Sequence, residues 1–172
     1  MSSKKDNFKL SNNKLMKFAL RLASNQKYRT GINPSVGCII TKNNRILSYG
    51  STENKGKPHA EVSAIKKQKI KSLKNSKMFV TLEPCSHYGK TPPCTNSIIK
   101  SKINTVTFSH NDEDQRTKNK AKKILIKKKI KVKTGFLNQL SSKFYSDYDF
   151  IKSQNRPYVT SKLAISADNK IL

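Results

Sequence analysis

Short apolar blocks recur along this chain and alternate with segments of helical spacing. The clearest blocks, residues 36–40, 78–82 and 106–108, have the length of buried strands. Apolar residues in the segments around them repeat at the spacing of amphipathic helices. Strands that alternate with helices favour a mostly parallel sheet covered on both faces. At 172 residues the chain is long enough to bury one core of this kind.

The same patterning predicts an order of elements. An amphipathic helix over 15–23 precedes a β-hairpin made of 36–40 and 45–49. Pro58 can open a second helix, because the first helical turn needs no amide donor, and Val62, Ile65 and Ile70 supply its apolar side. Beyond the strand of 78–82 we predict a helix around 98–99, a strand at 106–108, a helix at 121–126, a strand at 130–134, a helix over 137–151 and a strand over 158–166.

The chain is strongly basic. It has 36 Lys and Arg against 10 Asp and Glu, a formal net charge of +26. The excess is almost entirely lysine and is scattered, whereas nucleic-acid interfaces usually combine clustered arginine with aromatic stacking residues. The densest run, 118–133, interleaves lysine with apolar residues, as in a solvated helix face followed by a strand. We therefore do not expect a nucleic-acid partner.

The sequence also predicts a cytoplasmic protein. It has three cysteines, and its amino terminus has no apolar signal-peptide core. No apolar run approaches the length of a membrane span. We expect a reducing compartment and no membrane partner.

Four residues carry the chemistry of the chain: His59, Glu61, Cys85 and Cys94. A catalytic zinc takes three protein ligands from His, Cys or carboxylate and keeps a fourth position for water. His59, Cys85 and Cys94 supply such a set, each beside a predicted helix start, where a thiol pKa is lowered. Glu61, two residues beyond His59, can move protons without being a ligand. The pattern predicts a hydrolytic zinc centre in which Glu61 is the catalytic acid and base.

Other interpretations of these residues remain open at this point. Cys38, within an apolar strand, is best explained as a small buried hydrophobic residue. A structural zinc site would close with a fourth protein ligand, for which His87 is the nearby candidate. Zinc deaminases commonly carry His-x-Glu followed by Pro-Cys-x-x-Cys, and here eight residues separate the two cysteines. A deaminase of nucleic-acid bases and a non-enzymatic basic zinc module are the two functional alternatives.

Three segments together resemble one enzyme family. They are 33–38 (NPSVGC), 58–62 (PHAEV) and above all 81–94 (TLEPCSHYGKTPPC). They are similar to the deaminase domain of the bifunctional riboflavin-biosynthesis deaminase/reductases, which have the same long spacer between the cysteines. The resemblance runs from about Leu15 to the end of the chain. It implies a cytidine-deaminase-like fold, a three-layer αβα sandwich with a mixed, mostly parallel sheet.

The same resemblance implies a reaction. The substrate would be 2,5-diamino-6-ribosylamino-4(3H)-pyrimidinone 5′-phosphate, converted to 5-amino-6-ribosylamino-2,4-pyrimidinedione 5′-phosphate and ammonia. Zinc would be the cofactor, held by His59, Cys85 and Cys94. Glu61 would protonate the ring nitrogen and then the departing amine.

Matching positions imply substrate contacts at Asn33, His87, Lys90, Thr91 and Asp114. The amide of Asn33 suits a pyrimidine edge, and Lys90 suits the phosphate. Two departures from the family pattern bear on this pocket. Thr52 stands where most relatives carry a histidine, so it is a doubtful contact, and 112–115 (DEDQ) stands where an Asp-Pro-Asn/Asp-Pro turn is usual.

The last residues resemble the opening strand of that family's reductase domain. We expect residues 1–152 to form the deaminase domain and 153–172 a truncated first strand of the reductase domain. The chain leaves no room for an NADPH site, so we expect no reductase activity. A lone strand would leave Leu163, Ile165 and Ile171 without partners. We expect it to be poorly ordered or packed against another subunit of a homo-oligomer.

Overall fold

A five-stranded sheet forms the central layer of this computed structural model, which describes residues 11–68, 72–89, 91–168 and 170. The strands are β1 (Gly37–Lys42), β2 (Arg45–Ser51), β3 (Lys77–Leu82), β4 (Thr105–His110) and β5 (Lys131–Thr134). The helices are α1 (Asn12–Ser24), α2 (Ala60–Lys67), α3 (Cys94–Lys100), α4 (Lys120–Lys127) and α5 (Asn138–Gln154). A short 3-10 turn, Asn54–Gly56, lies between β2 and α2.

The strand order across the sheet is β2-β1-β3-β4-β5. β1 pairs antiparallel with both β2 and β3, whereas the β3–β4 and β4–β5 pairs are parallel. Of these strands, only β1 therefore runs against the rest. This mixed, mostly parallel arrangement confirms the predicted fold class.

The β1–β2 hairpin turns at Asn43 and Asn44, whose φ angles are 50° and 59°. A two-residue hairpin turn with positive φ at both positions matches the twist of its strands. Asparagine adopts positive φ more readily than most residues. The Asn-Asn pair thus explains why the predicted hairpin forms at this point.

The two faces of the sheet bury different helices, because successive strand residues point to opposite sides. Cys38 and Ile40 of β1 belong to one buried cluster, to which α2, α3 and α4 contribute. Ile39 of β1 and Phe79 of β3 belong to a second cluster with α1. α5 contributes Tyr145 to the first cluster. Its hydroxyl reaches Thr81 of β3, whose side chain points to the α1 side, as that of Phe79 does. The three-layer αβα sandwich is confirmed.

One edge of the sheet collects the loops that carry the candidate site. β2, β3 and β4 run in the same direction, so their carboxyl ends, at Ser51, Leu82 and His110, lie at this edge. β1 runs the opposite way, so its first residue, Gly37, lies there too. Open α/β sheets bind ligands at the carboxyl ends of their strands. The loops before β1 and after β2, β3 and β4 therefore converge.

Two predicted elements differ from the structure. The helix predicted to open at Pro58 begins at Ala60 and ends at Lys67, and Ile70 lies outside the described residues. The predicted strand over 158–166 is wrong: residues 156–164 form exposed coil, and only Ile165 makes an isolated bridge. A strand needs a neighbouring backbone to pair with, and none of the described strands lies beside this tail.

Among the described residues, every helix is too short or too polar to cross a membrane.

Candidate functional site

Three metal-ligating side chains meet at the sheet edge. His59 is the residue before α2, Cys94 begins α3, and Cys85 lies in the loop that follows β3. Nδ1 of His59 lies 3.6 Å from Sγ of Cys85 and 3.3 Å from Sγ of Cys94. All three ligand atoms lie within 4.8 Å of one another.

This donor set fits zinc. Typical Zn–S and Zn–N bonds in a tetrahedral site place a nitrogen and a sulfur ligand about 3.6 Å apart. The two nitrogen-to-sulfur distances here are 3.6 Å and 3.3 Å. Among the described residues, His59, Cys85 and Cys94 form the one group of His, Cys and acidic side chains that could hold a metal ion. Three protein ligands leave one coordination position for water, as catalytic sites require.

The two thiols have opposite pKa shifts. The hydrogen bond from the Cys94 side chain, with those from His59 and from the backbone N–H of Cys94, outweighs the effect of burial and lowers the pKa of Cys85 to about 4. The same hydrogen bond to Cys85, together with burial, raises the pKa of Cys94. In the absence of a metal ion, the Cys85 thiol therefore ionises before the Cys94 thiol. Cys85 lies outside the described helices, and its Sγ accepts from the backbone N–H of Cys94, the first residue of α3.

Glu61 lies in the first turn of α2, two residues beyond His59, and is only 3% exposed. Burial, and then the negative charge of Cys85, raise the pKa of Glu61 to about 7. A carboxyl group with a pKa near neutrality can both take up and release a proton at physiological pH. The hydrogen bond with Cys85 likewise raises the pKa of His59.

A pocket opens above these residues. Its walls include His59, Glu61 and Cys85 together with four of the predicted substrate contacts, Asn33, Thr52, His87 and Asp114. Thr91 does not line this pocket, and Lys90 lies outside the described residues. The space measures about 660 Å³, part of it open to solvent, which is within the range of small-molecule sites.

The loop before β1 is fixed from two sides. The Asn33 side-chain amide donates to the carbonyl of Gly56 at 3.4 Å. Gly56 has φ of 83°, and a Cβ there would lie 2.0 Å from the Asn33 amide nitrogen, so only glycine allows this approach. Two residues on, the Tyr145 hydroxyl donates to the carbonyl of Ser35 at 2.9 Å. These contacts hold Asn33 in the pocket wall.

Glu83 fixes the loop after β4. Its buried carboxylate accepts hydrogen bonds from the backbone N–H groups of Asp112, Asn119 and Ala121 at 3.3, 3.0 and 3.0 Å. Burial raises the Glu83 pKa, although these hydrogen bonds favour the charged form. The carboxylate therefore ties the end of β3 to both ends of the 112–119 loop.

His87 and Thr52 also have structural partners. Nδ1 of His87 lies 3.1 Å from the Thr117 hydroxyl oxygen, which leaves the other ring nitrogen of His87 for the pocket. The Thr52 hydroxyl accepts from the backbone N–H of Val36 at 3.0 Å. Since an accepting hydroxyl still has a proton, Thr52 can donate to a ligand.

Several pocket residues were not predicted from the sequence. They are Ile32, Pro34, Glu83, Asp112, Arg116, Tyr148 and Lys152. Pro34 lies inside the 33–38 motif and Glu83 inside the 81–94 motif. Two features of the sequence could have identified Arg116: it is one of five arginines in a lysine-rich chain, and it follows the unusual 112–115 stretch. Tyr148 and Lys152 lie on α5, and no local pattern links α5 to the site.

Comparison with known proteins gives a consistent result. The profile of the cytidine and deoxycytidylate deaminase zinc-binding region matches residues 10–110. A diaminohydroxyphosphoribosylamino-pyrimidine deaminase of Buchnera aphidicola subsp. Acyrthosiphon pisum is 43% identical over 129 residues, which are 75% of this chain and 87% of that protein. The riboflavin biosynthesis protein RibD of Aquifex aeolicus is 38% identical over 91% of this chain and 44% of its own length. The chain thus spans less than half of that relative.

Solved structures agree with the sequence comparison. RibD of Acinetobacter baumannii superposes with a TM-score of 0.83 at 35% identity, covering 89% of this chain and 43% of that one. A deaminase/reductase of Thermotoga maritima superposes equally well, at 36% identity over 89% and 44% of the two chains. The matched region is a zinc-binding one, so zinc is the metal of this chain's family. The chain belongs to the cytidine and deoxycytidylate deaminase zinc-binding family and, within it, to the diaminohydroxyphosphoribosylamino-pyrimidine deaminases.

Proposed function

We propose that this chain catalyses the hydrolytic deamination of 2,5-diamino-6-ribosylamino-4(3H)-pyrimidinone 5′-phosphate, an early step of riboflavin biosynthesis. Water adds at the ring carbon that bears the 2-amino group, ammonia leaves, and a carbonyl remains. The observation that carries the proposal is the buried Glu61 carboxyl beside three converging metal ligands at the base of a pocket. The name of the 43% identical Buchnera protein supports the choice of substrate.

We assign the metal to Nδ1 of His59 and to Sγ of Cys85 and Cys94. A zinc ion bound there would act as a Lewis acid and lower the pKa of a water molecule to about 7. Because its pKa is low, Cys85 is a thiolate before the metal binds. Cys94 has to release its proton when the metal binds, so metal affinity should increase with pH.

Glu61 performs the proton transfers in this proposal. With its pKa raised to about 7 by burial, the carboxylate accepts a proton from the attacking water at neutral pH. The protonated carboxyl then donates to the ring nitrogen and, in a second transfer, to the departing amine. Burial keeps the carboxyl from exchanging that proton with bulk water between the two transfers.

Substrate contacts follow from the pocket walls. The Asn33 amide and the free ring nitrogen of His87 face the same space as Glu61, and they are assigned to the polar edges of the pyrimidine. The Thr52 hydroxyl is assigned a donor role. Asp114 lies in the wall but already has partners, and Lys90 and Thr91 keep the roles implied by the family resemblance.

The remaining parts of the proposal concern organisation and location. We assign residues 1–152 to the deaminase unit and 153–172 to the start of a reductase unit; the overlap with only 44% of RibD supports this division. The described tail contacts α5 through the Phe150 ring. The ring of Tyr158 packs against it edge-on, and the guanidinium of Arg156 lies over it. We place the chain in the cytoplasm, where its three free cysteines would stay reduced.

Ammonia release from the pyrimidine phosphate tests the function directly. The zinc-loaded chain is compared with Glu61→Gln, which keeps the size of the side chain but cannot exchange protons. Glu113→Gln is the matched control, because Glu113 does not line the pocket and pairs with Lys118. We expect the Glu61 variant to lose at least about 100-fold in kcat and the control to lose little. Equal rates for wild type and Glu61→Gln would refute the mechanism.

A further inference from the structure

Two cations share one carboxylate in the pocket wall. Asp114 accepts hydrogen bonds from Nε and Nη2 of Arg116 at 2.9 and 2.6 Å, and from Nζ of Lys152 at 3.1 Å. The same carboxylate accepts from the backbone N–H of Arg116 at 3.0 Å. Asp114 therefore holds a loop residue and an α5 residue side by side.

Both cations keep donors free for a ligand. The Arg116 guanidinium has five N–H donors, of which two bind Asp114. The Lys152 ammonium has three, of which one binds Asp114. The side chains of Arg116 and Lys152 are 62% and 29% exposed. The pair plus Asp114 has a net charge of +1, and it is already oriented, so little entropy is lost when an anion binds.

Their position separates these two cations from the rest of this lysine-rich chain. Among the described lysines and arginines, Arg116 and Lys152 are the ones that line the pocket above Glu61. The other charged groups in its walls include four carboxyls, Glu61, Glu83, Asp112 and Asp114. An anionic ligand would be repelled by such walls unless cations offset them.

We propose that Arg116 and Lys152, held by Asp114, bind the phosphate monoester of the substrate. This inference rests on the proposed deaminase function. A phosphate monoester carries about −1.5 to −2 charges at neutral pH and offers acceptor oxygens suited to a guanidinium fork. The base would then lie toward Glu61 and the phosphate toward α5. The assignment also gives Asp114 a role: it is a positioning residue that acts through the two cations.

The test compares two substrates with the zinc-loaded chain of 172 residues. Arg116→Gln, Lys152→Gln and the double variant are assayed for ammonia release with the pyrimidine ribosylamino 5′-phosphate and with its dephosphorylated form. Lys118→Gln is the control, because Lys118 belongs to the same loop and pairs with Glu113 outside the pocket. Inorganic phosphate is added as a competitor in a parallel series.

We expect each single variant to raise KM for the phosphorylated substrate about tenfold, and the double variant more, with KM for the dephosphorylated substrate unchanged. Inorganic phosphate should inhibit the wild type competitively and the double variant at least about tenfold more weakly. Asp114→Asn should raise KM for the phosphorylated substrate alone, which a merely structural role would not do.

An equal change with both substrates, or a Lys118→Gln effect as large as that of Arg116→Gln, would overturn the assignment. Unchanged KM in the double variant would overturn it as well. Failure of the proposed function has a different signature, because the wild type would then release no ammonia from either substrate. In that case calorimetric titration with inorganic phosphate still decides the anion site: binding by the wild type that the double variant lacks supports it, and its absence overturns it.

Discussion

Replacing Tyr145 by phenylalanine should destabilise the chain without leaving a cavity. The Tyr145 hydroxyl is buried, donates to the carbonyl of Ser35 at 2.9 Å, and lies 2.6 Å from the Thr81 hydroxyl oxygen. Thr81 accepts in turn from the backbone N–H of Gly37 at 3.0 Å. Because the Tyr145 proton goes to Ser35, Thr81 donates to Tyr145. The four groups thus form one directed chain of hydrogen bonds across β1, β3 and α5.

The expected loss follows from that chain. The Tyr145→Phe substitution would remove two buried hydrogen bonds and leave the Ser35 carbonyl and the Thr81 hydroxyl without their partner. At about 1–2 kcal/mol for each, the free energy of unfolding should fall by about 2–4 kcal/mol. With a urea m-value of about 2–3 kcal/mol/M for a chain of this size, the midpoint should fall by roughly 0.7–2 M.

Urea unfolding at fixed zinc concentration measures this shift, and Tyr158→Phe is the matched control. Tyr158 lies in the exposed tail, and the midpoint of its variant should change by less than about 0.2 M. A Tyr145→Phe midpoint within the range of the control would refute the directed chain. An altered m-value would instead mean that the variant changed the compactness of one of the two states.

Three further predictions concern the metal, the pocket charge and the tail. Cys94→Ser should abolish stable zinc retention after dialysis, whereas Cys38→Ser, in the buried core of β1, should retain one zinc per chain; metal analysis distinguishes them. Burial raises the Asp112 pKa to about 6, so the folded state binds the proton more tightly than the unfolded state. Wild-type stability should therefore fall relative to Asp112→Asn as pH rises from about 4 to about 6, and parallel stability curves would contradict this. Trypsin should cut first in the exposed tail, at Lys162, and leave ammonia release intact; loss of activity with that cut would contradict the assignment of 153–172 to a separate unit.

The elements of this fold were predictable where their signals are local. Short β-branched blocks flanked by turn residues predicted the central strands, and helical spacing predicted α1 and α5. The tail over 158–166 has the same alternating pattern as a strand, but pairing depends on a neighbouring backbone. Sequence shows the pattern of one strand and cannot show whether a second strand lies beside it.

The residues of the candidate site were likewise predictable only where a local motif contains them. His59, Glu61, Cys85 and Cys94 were found because each lies in a short motif whose residue types have a chemical reason. Lys152 was not found, since one lysine among 31 carries no signal until α5 places it beside Asp114. The opposite pKa shifts of the two thiols also required coordinates, because they depend on the hydrogen bond between the Cys85 and Cys94 side chains.

Zinc removal tests the central claim most directly. Ammonia release from the pyrimidine phosphate is measured with the purified chain, after dialysis against a chelator, and after one equivalent of zinc is restored. The proposed site predicts that activity is lost with the metal and returns with it. Full activity in the zinc-free chain, or no ammonia from the zinc-loaded chain, would contradict the claim that His59, Cys85 and Cys94 hold a catalytic metal for Glu61.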